Sequence, residues 1–512
     1  MKKWFLAAIL LLAVFFRFNN SNWDDNFHLH PDERFLTMAS SADALPDFFV
    51  YGTLPLNLNK KLAVYLNKDN YNGFTILGRQ LSAAFDLLVV ILLYKTAEIL
   101  EKKYRLAPSL KYWAGLLYAI AVYPIQSAHF FTVDTFLNFF MFACFYFALR
   151  QKTVTSAVFF GLALASKVSA VFILPLTLII MLKPPVKRIL FSIGLFFLVS
   201  YVTVHLASPN YFKTSNVFDP RINESFISSI KQLKSFEGND IWYPPAVQWI
   251  NRPVSFVLAN LAIVGVGLPY FLLIILGVYY IFRAKSRSSR QIVFWVLAYL
   301  LYLSFQFVKS IRYTIFLYPF FALFAAVGVD VILNKVKNPA KRTTRTVIII
   351  LLLAWPLLFS TIYFHKNTRV AASEWIYKNL PNGSYILSEY WDDGLPLSVE
   401  QTYGKAFFGE QLPVFDPDTP EKWAKMNEAL GKADYYILSS NRGWGSIARV
   451  PEKYPQMSQF YKDLLAGENP QYKKIKEFTP YYYQFFRLPE NWVEESFTVY
   501  DHPTVLIFAR NK

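Results

Sequence analysis

The sequence predicts a polytopic α-helical membrane protein with about eleven membrane segments, two of them short, followed by a C-terminal extracytoplasmic α/β domain. Three observations lead there. First, 54% of the residues are hydrophobic and 18% aromatic against only 17% charged, and the apolar ones gather in long runs, a membrane-protein composition. Second, the net charge of +17 is unevenly placed: from His365 onward 17 Lys and Arg face 19 Asp and Glu, a net of −2, which leaves +19 to the hydrophobic part. There the base sits in short connections between apolar runs, the way topology is written, so a nucleic-acid partner is excluded. Third, near His365 the composition becomes that of a soluble domain, dividing the chain into 1–363 and 364–512. The single cysteine, Cys144, lies in an apolar run, so any outer domain must hold without intrachain disulfides.

Taken in order, Lys2-Lys3 followed by Trp4 to Phe16 predicts a retained first span with a cytoplasmic N-terminus, because Arg17-Phe18-Asn19-Asn20 offers no small-residue cleavage site. Asn19 to about Gly78 is then outside. Leu81 to Leu100 returns to an inner turn with Lys102, Lys103, Arg105 and Lys111; Tyr112 to Gln126 leads out, and Thr135 to Leu149 comes back to Arg150 and Lys152. Thr153 to Leu182 has cytoplasmic base on both flanks, including Lys183 and Lys187. Its length, roughly 45 Å as one helix, is too long for one crossing and too short for two. A pair of half-length helices, broken near Ala165-Ser166-Lys167, resolves this, and such backbone must face protein or a watery cavity. A single tilted helix with Lys167 snorkelling is the competing reading.

Ile189 to Leu206 leads to a second polar outer segment, Ala207 to Arg252. Pro253 to Phe282 holds one crossing and ends at Arg283, Lys285 and Arg290; Gln291 to Val308 leads to an outer turn, Lys309-Ser-Ile-Arg312-Tyr313. Thr314 to Leu333 returns to Lys335, Lys337 and Lys341, and Thr346 to Tyr363 exits. In the C-terminal part, Ala372 to Asn379 and Pro420 to Leu430 read as helices, Tyr385 to Ser388 and Tyr435 to Leu438 as strands, and Ser496 to Ala509 as a hairpin turning at Asp501-His-Pro. No internal repeat is visible, which weakens a transporter built from duplicated halves.

The densest chemistry lies in Phe27-His-Leu-His-Pro-Asp-Glu-Arg34. Pro31 at a first helical position, with Asp32 and Glu33 in the first turn, makes a good helix start. It also places an ionised acid, Asp32, where it could take a proton from an acceptor hydroxyl. Glu33 could steady the acceptor or hold a cation, and His28 and His30 could do likewise; two histidines and two acids in one loop leave a divalent metal open without establishing it. Asp134, which starts an inward helix after His129, shares this face. Arg34, Arg79, Lys309 and Arg312 are base on the outside, against the usual bias, and suit a phosphate or pyrophosphate headgroup; interface snorkelling is the alternative for each. Lys167, at the expected break, could reach the same cavity from below. Glu389-Tyr-Trp391-Asp392-Asp393 could line a sugar site, or form a turn around a packed Trp.

With these residues in place the chain resembles the GT-C superfamily of membrane glycosyltransferases, in particular the branch of protein O-mannosyltransferases and lipid A aminoarabinose transferases. The resemblance covers roughly residues 1–363. It rests on Asp32-Glu33 in the first outer loop, Asp134 at the second outer connection, Gly161-Leu-Ala-Leu-Ala-Ser-Lys167 between short helices, and Arg312-Tyr313 leading into Tyr318-Pro319. His30-Pro-Asp-Glu-Arg-Phe35 and Phe497-Thr-Val-Tyr-Asp-His-Pro503 look like prokaryotic relatives of that branch. Membership implies an inverting transfer of a sugar from a polyprenyl-phosphate donor to an acceptor outside the cytoplasm. Asp32, Glu33 and Asp134 would then be the catalytic acids, Lys309, Arg312, Arg79 and Lys167 would bind the donor phosphate, and His30, Arg34 and Tyr313 would contact substrate. No cofactor is implied with certainty; a divalent metal stays open, and the polyprenyl-phosphate sugar enters as donor substrate. The alternative is a transporter or flippase of a lipid-linked glycan.

Overall fold

The structure is a computed structural model and describes residues 2–42, 44–104, 106–181, 185–283 and 287–511. Arg105, Lys183 and Lys285, three of the bases expected in inner turns, lie outside these ranges. Among the described residues four helices are long and apolar enough to cross a membrane: Tyr71–Lys103, Ile189–Ala207, Ile311–Lys335 and Asn338–Tyr363. Shorter apolar helices, among them Trp4–Phe18, Val133–Leu149 and Leu268–Arg283, pack between them. Ile311–Lys335 is the most enclosed of the long four. It can be, because Gly277 and Gly328 let its neighbour Leu268–Arg283 approach closely: a Cβ on Gly277 would lie 1.7 Å from the Phe324 carbonyl oxygen.

The segment whose length fitted neither one span nor two is broken where its composition predicts. Thr153–Leu164 is helical, Lys167 is extended at φ −159° and ψ 137°, and Val168–Ile173 then winds as a tight 3-10 turn into Leu174–Met181. Breaking a helix strands carbonyl groups, and here the first long connection supplies their partners. Gly52 N–H donates to the Ser166 carbonyl at 3.1 Å and Leu54 N–H to the Ala165 carbonyl at 3.2 Å. Only glycine fits at 52, since a Cβ there would stand 1.8 Å from the Ala165 oxygen.

The C-terminal part contains a five-stranded mixed sheet of order β2-β1-β3-β5-β4, where β1 is Tyr385–Glu389, β2 Phe408–Leu412, β3 Tyr435–Leu438, β4 Tyr472–Phe478 and β5 Val505–Arg510. β1 runs parallel to both β2 and β3, while β5 is antiparallel to β3 and β4. The terminal hairpin expected over 496–509 does not form. Glu495–Thr498 is a short helix and β5 lies between β3 and β4 instead. The reason is that Val505-Leu-Ile-Phe508 is buried on both faces, a run that belongs in the middle of a sheet. This part is also rooted in the helical bundle: Phe497 packs on Phe359 at 5.4 Å, Trp355 meets Tyr482 edge-on at 5.6 Å, and buried Asp501 accepts from Gln126 Nε2 at 3.0 Å and from the Tyr363 hydroxyl at 3.0 Å.

Candidate functional site

Pro31–Ser41 is a helix, capped by His30 Nδ1, which accepts the Asp32 N–H at 3.2 Å. His30 is buried between Phe130 and Tyr500, with ring centroids 4.4 and 4.2 Å away. Burial pushes its imidazole down to about 3, so it stays neutral and free to accept. Consecutive residues of a helix project about 100° apart. Asp32 and Glu33 therefore face different places, and this separates two acids that their adjacency in sequence suggested would act together.

Asp32 points to Arg312. Its Oδ2 pairs with Arg312 Nη1, and Arg312 Nε reaches Asp134 Oδ2 at 2.5 Å. Asp134 Oδ1 in turn accepts from Lys167 Nζ at 2.9 Å. The four groups come from the first long connection, the start of Val133–Leu149, the helix break, and the 3-10 turn Ile311–Leu317. Two carboxylates and two cations balance in charge. Lys167 also lies over the rings of Tyr313, at 5.2 Å, and Tyr51, at 6.0 Å. Burial tends to raise the Asp32 carboxyl, but the Arg312 guanidinium more than reverses this and holds it below the ordinary aspartate range. Two valences are left over. Arg312 Nη2 is buried without a hydrogen-bond partner, and Asp32 Oδ1 accepts from none of the described residues while the side chain is 28% exposed.

Glu33 and Arg79 are turned away from this cluster. Arg79 Nε and Nη2 bind Glu33 at 2.8 and 2.7 Å, and Nη1 and Nη2 bind Asp24 at 3.0 and 2.8 Å. Glu33 also accepts the Phe131 N–H at 2.6 Å, and the Trp23 ring covers the guanidinium at 4.6 Å. The triad is closed, so Arg79 has no arm for a donor phosphate and Glu33 no oxygen for an acceptor; both expectations are corrected. Lys309 Nζ donates to the Gln306 carbonyl at 2.6 Å and lies outside the Asp32–Arg312–Asp134–Lys167 cluster. Arg34 binds Asp393 at 2.8 Å and so ties the Pro31–Ser41 helix to the turn after β1. That turn carries Trp391, packed edge-on against Tyr243 at 5.6 Å and partly exposed.

The donors considered for a metal do not converge. His28 bonds Asn72 at 2.8 Å and Thr75 at 3.0 Å, His30 caps the helix, and Glu33 is on Arg79. Among the described residues no three His, Cys, Asp or Glu are grouped to hold a metal ion. As arranged, Asp32 Oδ2 and both Asp134 oxygens face Arg312 and Lys167, where a divalent cation would meet like charge. Tyr51 is the contributor that sequence reasoning missed. It sits beside Gly52, whose close approach to the break would have been its only signal.

Two cavities adjoin beside the cluster. One of about 210 Å³ is lined by Asp134, Lys167, Arg312 and Tyr313. The other, of about 620 Å³, is an almost wholly apolar groove with Pro175, Phe294 and Trp295; Phe172, Tyr299 and Tyr302 line both.

The chain thus joins a helical bundle, an apolar groove beside a cluster of acids and bases, and a mixed sheet rooted in the bundle. Two solved structures share this fold across nearly the whole length, and a third aligns more loosely. The oligosaccharyltransferase of Archaeoglobus fulgidus tethered to an acceptor peptide containing the NVT sequon superposes with a TM-score of 0.55 at 10% identity, over 100% of this chain and 89% of that one. The same organism's oligosaccharyltransferase AglB, with an inhibitory peptide and a dolichol-phosphate, gives 0.54 at 11% over 99% and 88%. ArnT from Cupriavidus metallidurans bound to undecaprenyl phosphate gives 0.48 at 12% over 98% and 97%. No family model matches the sequence, and no curated protein matches it either.

Proposed function

We propose that the protein is an inverting glycosyltransferase of the cell membrane, moving a sugar from a polyprenyl-phosphate donor to a hydroxyl of a protein, lipid or glycan on the extracytoplasmic side. The observation that carries this reading is the junction of the two cavities. An apolar groove joined through Phe172, Tyr299 and Tyr302 to a cavity lined by Arg312, Lys167 and Asp134 suits a ligand with a long hydrocarbon tail and a phosphate head. That AglB was captured with a dolichol-phosphate and a peptide is consistent with it.

In this reading the tail lies along Phe172 and Trp295. The phosphate sits against the free Nη2 of Arg312 and against Lys167, with Asp134 holding both cations in place. Asp32 Oδ1 accepts the proton of the acceptor hydroxyl as its oxygen attacks the anomeric carbon. The bond from that carbon to the phosphate oxygen breaks on the opposite side, and polyprenyl phosphate leaves with the electron pair. No step requires a nucleotide or a metal. The orientation that puts the cluster outside is part of the proposal and rests on the basic turns.

The test is reconstitution of the full chain with polyprenyl-phosphate sugars, with products resolved by mass. Formation of a glycosylated acceptor that Asp32→Asn abolishes, with insertion unchanged, supports the reading. Lipid-linked glycan moved across proteoliposomes without any covalent product would replace it with the flippase.

A further inference from the structure

We propose that Glu494, in the C-terminal part, is a positioning residue for Arg312, which makes that part a working piece of the site and not only its cover. Glu494 is 1% exposed. Its Oε2 accepts the Ile311 N–H at 2.6 Å, and its Oε1 accepts the hydroxyls of Ser310 and, at 2.5 Å, Ser496. The Ser310 oxygen then accepts the Arg312 N–H at 3.1 Å. The two residues before Arg312 are thus gripped by one carboxylate more than 180 positions away in sequence. The grip is itself anchored, because the Glu494 N–H donates to Asn260 Oδ1 at 2.9 Å.

A buried carboxylate ordinarily has a cation within reach. Among the described residues Glu494 is in no ion pair; only N–H and O–H donors hold it. Such a group is hard to justify by stability alone, since an apolar or amide side chain would avoid burying the charge. What a carboxylate does that an amide cannot is accept on both oxygens at once. Here both acceptors act on the turn that aims the guanidinium. Near such sites a displacement of about 1 Å lowers rate by about 100-fold.

For its turnover arm this inference rests on the transferase reading, so the test carries an arm that does not. In the purified full-length protein, Glu494→Gln should lower kcat about 100-fold with KM within about threefold, and should raise hydrogen exchange at the Ile311 and Arg312 amides at least about tenfold. Ser310→Ala should act through the same path, so the double variant should fall no further than the worse single one. Asp501→Asn, which loosens a different contact between the C-terminal part and the bundle, should leave exchange at Ile311 unchanged. Unaltered exchange in Glu494→Gln overturns the clasp whatever the reaction is, and so does an equal rise in Asp501→Asn. A wild-type protein that transfers no sugar from any polyprenyl-phosphate donor would sink the transferase reading and leave the exchange arm to judge Glu494.

Discussion

Arg79 and Arg312 each hold two carboxylates, one of them from the same short stretch, yet they differ in what is left over. Arg79 is 1% exposed, both its partners are fully buried, and a ring and a backbone N–H complete the set. Arg312 is 21% exposed, keeps one nitrogen unpartnered, and shares one of its acids, Asp134, with Lys167. The same chemical parts make a staple in one place and a candidate site in the other. Residual hydrogen-bonding capacity next to a cavity distinguishes them, not residue type.

Substitution of adjacent acids gives the widest separation. Asp32→Asn should lower kcat by about 10²- to 10⁴-fold, the range for losing a general base, with unfolding unchanged. Glu33→Gln should do the reverse: stability falls by about 3–5 kcal/mol, as when one partner of a buried ion pair is removed, while the molecules that remain folded turn over normally. Activity per folded molecule, measured together with thermal unfolding, checks both. A Glu33→Gln protein that is stable but inactive would reverse the roles assigned to the two clusters.

Substitution of the arginines comes next in size. Arg312→Lys keeps the charge but loses the fork that reaches Asp32 and Asp134 together, so kcat/KM should fall about 100-fold in a folded protein. Arg79→Lys should instead reduce the yield of folded protein, since three of four short bonds to Glu33 and Asp24 would be lost. Comparing yield and specific activity for the two variants separates these outcomes.

The difference between Asp32 and Glu33 was legible in part. Pro31 announces the helix, and helical geometry alone sends neighbouring residues to different faces. What the sequence could not show is that Asp24 and Arg79 would close around Glu33, because these partners lie 46 and 55 positions from Arg79 and meet only once the bundle packs. The break at Ala165–Lys167 was legible because a length too great for one span and too small for two is a local property. Glu494 was not, since nothing in Trp-Val-Glu-Glu-Ser marks a carboxylate that reaches another element. The misplaced hairpin had a readable sign in its unalternating Val-Leu-Ile-Phe run.

A third kind of buried acid shows what the guanidinium contributes. Glu389 accepts the hydroxyls of Tyr436 and Tyr461 at 2.5 and 2.6 Å and has no cation partner among the described residues. Burial pushes it up to about 7, and Glu495, buried beside Arg442, is raised in the same direction to about 8. Between an unfolded carboxyl near the ordinary 4.5 and a folded one near 7 the native state binds the extra proton. The stability Glu389 contributes is therefore complete below about pH 4 and is lost as pH rises through 7, by about 3 kcal/mol. The stability of the full protein should fall from pH 5 to 8, and Glu389→Gln should flatten that slope. A slope left intact in the variant would mean that Glu389 stays ionised as Asp32 does.

The smallest expected effect is that of a chelator. The cluster's own carboxylates, Asp32 and Asp134, already face Arg312 and Lys167. If the cations do the work of charge balance, removal of divalent metal should change the rate of transfer by less than about twofold, because like charge keeps the ion out. Arg312→Ala would empty that place, and added Mg²⁺ or Mn²⁺ should then recover part of the lost rate. A wild-type protein silenced by chelation and restored by metal would show that Asp32 and Asp134 open toward an ion in the working state, and the contrast with the closed Arg79 triad would have to be drawn from mobility and not from leftover bonds.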